Sequence, residues 1–143
     1  MTDVHSKETR SYNMSRIRSK DTKPEMLVRK FLHAIGFRFR LHVKDLPGKP
    51  DIVLLKYKTV IFIHGCFWHS HEDCKLNRVP KDNQAYWVPK LSRNVSNDKR
   101  NENELISQGW KVITVWECNL KKNKIEQTLA RVLSTLTSIE SKN

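Results

Sequence analysis

The eleven residues from His64 to Cys74 hold three histidines, two cysteines and the adjacent pair Phe67-Trp68, and they follow directly on the apolar run Thr59 to Ile63. A stretch of that length and character reads as a buried strand. The chain must therefore fold with a dense set of chemically active side chains at one strand end, and packing alone does not explain them. Imidazole and thiolate together suit zinc, spare imidazoles suit proton transfer, and two bulky aromatics on an irregular loop suit a wedge between stacked bases. The combination points to cleavage of nucleic acid.

A chain of 143 residues is read as one domain, 21–143, with a core that needs no disulfide scaffold, preceded by a basic arm over 1–20. The polar start Met1-Thr2-Asp3-Val4-His5-Ser6 has no signal-peptide character and no stretch suits a membrane span, so a cytoplasmic location is expected. Three cysteines cannot all pair, which leaves metal binding or burial as their uses. Lys and Arg number 27 against 15 acidic residues. The excess concentrates in residues 1–50, with 12 basic and 5 acidic side chains, and in 75–100, with 7 and 2. Such fields attract polyphosphates; a generic solvated basic surface is the alternative.

Thr22, Pro24 and Glu25 read as the cap, first turn and capping-box acid of a helix whose stripe is Leu27, Val28, Phe31, Leu32 and Ile35, ended by Gly36. Phe37, Phe39, Leu41 and Val43 alternate with Arg38, Arg40 and His42, the period of a strand with one buried face. After the turn Leu46 to Pro50, Ile52 to Leu55 and Thr59 to His64 complete an antiparallel meander. A helix is expected over Asn94 to Gln108, ended by Gly109. Trp110 to Trp116 reads as a central strand, with Trp110 and Trp116 in the core, and Ile125, Leu129, Val132, Leu133 and Leu136 as the stripe of a last helix. The fold class is α/β, a mixed central sheet flanked by helices.

Asp51, opening one strand, and His64, ending the next, can meet across an antiparallel pairing from which His69 also projects. Phosphodiester hydrolysis needs a cation, a base and an acid, and Asp51 with the histidines supplies candidates for each. Asp51 read alone is a turn former, and Glu25 read alone is a capping residue.

Pro50-Asp51 on this frame resembles the restriction-endonuclease core, usually written PD-(D/E)xK, but Phe62-Ile63-His64 carries neither the second carboxylate nor the lysine. Three segments are more specifically similar to the very-short-patch repair (Vsr) endonucleases: Pro47-Gly48-Lys49-Pro50-Asp51, Phe62 to His69, and Gly109-Trp110-Lys111-Val112 with Trp116-Glu117-Cys118. The resemblance implies a DNA repair hydrolase, magnesium-dependent, that nicks the thymine-bearing strand 5′ to a T·G mismatch left by deamination of 5-methylcytosine. Its implied magnesium ligands are Asp51 and the main-chain carbonyl of Ile63. His64 and His69 take proton-transfer and phosphate-stabilising roles, Glu25 a supporting acidic one, and Asp98 orients a histidine. The implied structural zinc ligands are Cys66, His71, Cys74 and Cys118; on its own, Cys118 reads as a buried thiol. Phe67, Trp68 and Trp87 would enter the duplex, the alternative being a hydrophobic cluster around the metal, while Arg16 and Arg18 of the arm hold its backbone. The implied partner is mismatched double-stranded DNA, met by a monomer at the nucleoid alongside other repair proteins. The competing function is a zinc-stabilised DNA-binding module that has lost its chemistry, and a restriction-type double-strand cutter is disfavoured by the missing carboxylate and lysine.

Overall fold

The computed structural model describes residues 22–71, 74 and 81–141, with side chains to 137. The arm over 1–20, with Arg16 and Arg18, lies outside the described residues. Helix α1 (Lys23–Ala34) starts where Thr22 Oγ1 accepts from the Glu25 N–H at 3.4 Å. It stops in a Schellman turn, with Phe37 N–H donating to Leu32 O at 2.9 Å and Gly36 N–H to His33 O at 3.1 Å, Gly36 taking the φ of +98° that such a turn requires. Ile35, expected on the buried stripe, sits past the helix end and is exposed.

Strands β1 (Arg40–Leu41), β2 (Ile52–Leu54), β3 (Thr59–His64) and β4 (Lys111–Trp116) form one sheet in the order β1-β2-β3-β4. The first three pair antiparallel, as the short connections required, and β4 runs parallel to β3. The expected seven-residue first strand is reduced to two residues because His42 adopts a φ of +51°, which no strand continues through. β4 is the edge of the described sheet and not its centre. It looks two-sided in sequence because helices cover both of its faces.

Helix α2 (Gln84–Ser107) begins ten residues before the expected Asn94 and runs through Pro89. The polar, basic composition there carried no stripe, and a proline ordinarily ends a helical pattern. It closes in a second Schellman turn, Trp110 N–H to Leu105 O at 3.0 Å, with Gly109 at φ +91°. Helix α3 (Ile125–Ser141) closes the chain. One core packs α1 and α3 on the sheet through Val28, Leu32, Ile52, Ile61, Val115 and Leu136. A smaller core on the other face packs α2 through Val53, Val60 and Leu105, with Trp110 against it. The result is a three-layer α/β arrangement with Asp51 and His64 at one end of the sheet, on the face that α2 covers. Among the described residues no helix is long and apolar enough to cross a membrane.

Candidate active site and metal centre

A cleft of about 610 Å³ opens at the end of β3, bounded by Glu25, Asp51, Ile63, His64, His69 and Asp98. Antiparallel pairing of β2 with β3 brings Asp51 alongside Ile63, whose N–H donates to Asp51 Oδ2 at 2.7 Å. Burial raises the Asp51 carboxyl to about 6; the Ile63 N–H opposes this, the Glu25 carboxylate adds to it, and His42 and His69 lower it. A carboxylate held in that way is poised to accept a cation.

His64 ends β3 under the ring of His69, stacked at 3.8 Å between centroids with planes 6° apart. Burial first, and then the neighbouring imidazole, lower His64 to about 4, against the pull of Asp98. It is therefore neutral at physiological pH. His69 Nδ1 is hydrogen-bonded to Asp98 Oδ2 from α2, an acid–imidazole pair that orients the ring and selects its tautomer. Asp98 meets His69 because α2 lies across this face.

Glu25 is 2% exposed, and its Oε2 lies 3.3 Å from Arg29 Nη1 and 2.9 Å from His42 Nε2. His42 Nδ1 is 3.9 Å from Asp51 Oδ1, so one imidazole spans the two carboxylates. The alternation from Phe37 to Val43 puts His42 on the solvent face of a strand. The positive φ that ends β1 turns it inward, and His42 N–H donates to Asp51 O at 3.1 Å. The only signal in the sequence was a histidine in place of a third arginine in the alternating run.

On the other side of the β3 end, Cys66, His71, Cys74 and Cys118 bring one ligand atom each to within 4.8 Å of one another, a set that can hold a metal ion. Cys118 arrives from the turn after β4. Its Sγ is 3.3 Å from His71 Nδ1 and its N–H donates to Cys66 Sγ at 3.4 Å. Two ligands of a tetrahedral zinc lie about 3.5 Å apart at ordinary bond lengths, so the spacing fits. Burial pushes the Cys66 thiol up to about 12 and raises Cys118 as well. A thiolate there needs a cation beside it. Trp116, expected in the core, instead lies half-buried between this cluster and His64.

Phe67, Trp68 and Trp87 form a mutually edge-to-face triad with centroids 5.0, 5.3 and 5.8 Å apart, and Tyr86 extends it at 4.9 Å from Trp87. Asn94 Nδ2 donates to Trp68 O at 3.0 Å, tying the loop to α2. The triad stands beside the cleft, between the two centres and the first turns of α2.

Comparison with known proteins agrees with this frame. The family model for the DNA mismatch endonuclease Vsr matches residues 2–76. The type II nicking enzyme V.XorIIP of Xanthomonas oryzae pv. oryzae is 48% identical, over 93% of this chain and 98% of its own. V.NmeAIP of Neisseria meningitidis serogroup A is 54% identical over 87% and 89%, and the DNA mismatch endonuclease Vsr of Escherichia coli K12 is 45% identical over 85% and 77%. The catalytic domain of the homing endonuclease I-Bth0305I superposes with a TM-score of 0.55 at 21% identity, covering 83% of this chain and 98% of that one, a likeness of fold that agrees with a restriction-endonuclease-like core. The match over more than half of the sequence, joined to relatives that align along nearly its whole length, establishes that this chain is a DNA endonuclease belonging to the Vsr mismatch endonuclease family.

Proposed function

We propose that the protein is a magnesium-dependent endonuclease that nicks the thymine-bearing strand on the 5′ side of a T·G mismatch. The observation that carries this reading is the convergence on one cleft of Asp51, a neutral His64 and an Asp98-paired His69, with an aromatic triad at its side. Magnesium takes oxygen ligands, and the hard donors available are the Asp51 carboxylate and the adjoining Ile63 carbonyl, with Glu25 behind them. Bound there, the ion would neutralise charge on the phosphate and acidify a water.

The chain's own residues do the rest. Asp98 orients His69, leaving its second ring nitrogen to give or take a proton. His64, kept neutral by burial, shares proton transfer and stabilisation of the phosphate. Zinc is the ion that suits the Cys66, His71, Cys74 and Cys118 set, and four protein ligands make such a centre structural. It would hold the loop bearing Phe67 and Trp68 stiff. A T·G wobble pair costs less to unstack than a matched pair, so a rigid aromatic wedge turns that deformability into selectivity.

The test is a duplex labelled on each strand, with T·G or T·A at one position, incubated with Mg²⁺ or with a chelator. A single cut in the thymine strand, seen only with Mg²⁺ and much faster on T·G, is the expected result. Cutting of both strands, equal cutting of the matched duplex, or binding without cutting would each refute the reading.

A further inference from the structure

Trp116 touches both centres, and neither the cleft chemistry nor the metal cluster accounts for it. The parallel register of β3 and β4 sets His64 opposite Trp116, so the last residues of the two strands lie side by side. The indole stacks on the His71 ring at 4.1 Å with planes 10° apart, and it meets the His64 ring edge-on at 5.2 Å and 74°. On the remaining sides His64 is covered by His69 and by Phe62, the latter at 5.6 Å. His64 Nδ1 is buried and has no hydrogen-bond partner among the described residues.

An imidazole that moves protons usually takes its orientation from a hydrogen bond at its second nitrogen. His69 has such a bond in Asp98, whereas at its buried Nδ1 His64 has ring contacts instead. The backbone that carries the indole is held: the main-chain N–H of Trp116 donates to Asn119 Oδ1 at 3.2 Å, and the next turn carries Cys118 into the metal cluster.

We propose that Trp116 is a positioning residue that sets the orientation of His64 by bearing on the His71 ring, so that the Cys/His metal centre and the phosphate-cutting centre are mechanically coupled through one indole. The inference rests on the reading of His64 as a group acting at the phosphate. Occupancy of the cluster fixes His71, His71 fixes the plane of the indole, and the indole edge confines the rotamer of His64. His64 and His71 stand seven residues apart on one loop, and the indole that arrives from β4 bridges their rings.

Trp116→Leu, Trp116→Phe and His64→Ala are compared for single-turnover nicking, duplex affinity, zinc content by elemental analysis, and the NMR position of the carbon-bound ring protons of His64. Trp116→Leu should keep its zinc and bind duplex within about twofold of the parent while nicking about tenfold more slowly, the upper end of the factor expected when one ring contact is lost from a reacting group. Trp116→Phe should recover most of the rate, and the His64 ring resonances should move in the leucine variant. Should that variant not fold, Trp116→Met, unbranched and better able to fill an irregular gap, is read by the same criteria. Full-rate nicking by Trp116→Leu beside an inactive His64→Ala overturns the coupling alone. Loss of zinc from Trp116→Leu also overturns it, since the indole would then merely cover the metal. A His64→Ala variant that nicks normally overturns the reading of His64 and the coupling with it.

Discussion

At Asp51 burial works against the folded state and in favour of chemistry. A carboxyl raised from 3.8 to about 6 holds a proton between those pH values that the unfolded chain has released, so its ionisation costs stability above pH 6, and that cost fades as the pH falls toward 3.8. His64 has the opposite sign. Lowered from 6.5 to about 4, it contributes stability that is present above pH 6.5 and is lost as pH falls through that window. Asp51→Asn, measured without divalent cation, should therefore raise stability at pH 8 by up to about 3 kcal/mol, the shift converted at about 1.4 kcal/mol per pH unit, and the gain should vanish by pH 4. The same variant should keep its affinity for duplex and lose nicking. A melting temperature at pH 8 no higher than that of the parent would show that the carboxylate is not strained by its surroundings. His42→Ala, which removes the ring between Glu25 and Asp51, should lower nicking by about tenfold, checked by the Mg²⁺ concentration needed for half-maximal rate.

Among the elements, the turn Pro47 to Pro50 is the one whose position the site can least spare, because it leads into Asp51. Gly48 has a φ of +77°, and a methyl group there would lie 3.0 Å from Asn101 Cβ on α2 and 3.1 Å from Phe62 Cζ on β3. Gly36 has a φ of +98° but open space around it. Gly36→Ala should thus cost about 1 to 2 kcal/mol for the left-handed backbone alone. Gly48→Ala should cost more and also slow nicking, as α2 with Asp98 is pushed from the sheet; equal costs in denaturant titration would contradict the close packing. The local signals of helix α1, its glycine stop, β2, β3 and the His64 to Cys74 loop were legible in the sequence because each depends on neighbours along the chain. The early start of α2, the two-residue β1 and the edge position of β4 were not, because tertiary cover decides them. The same division runs through the site. Asp51 beside the histidines, and Cys66 with Cys74, stood out by type and spacing; Cys118 read alone as a buried thiol and entered the ligand set only through the family resemblance, while His42 and Trp116 looked like a surface residue and a core residue until strand register gave them partners.

For the whole molecule, charge and sheet order set different properties. With 27 basic residues against 15 acidic ones, encounter with DNA should be strongly salt-dependent, log affinity falling by about 0.9 per neutralised phosphate for each tenfold rise in salt. Filter-binding or anisotropy titrations across salt should give similar slopes for T·G and T·A duplexes, since in the proposed function the aromatic triad, and not the field, senses the mismatch. A slope near zero would remove the basic surface from the account. The sheet order has a temporal meaning as well. Three of the four cluster ligands sit within one short loop, but Cys118 lies 52 residues beyond Cys66 and reaches it only once β4 has docked beside β3. That parallel pairing is non-local and closes late. With an ion bound, a nascent chain that has not yet reached Cys118 would offer an open, three-ligand site that exchanges it readily, whereas the finished sheet would seal it. Slow release of that ion would in this sense be a clock mark, recording that the last strand has come home.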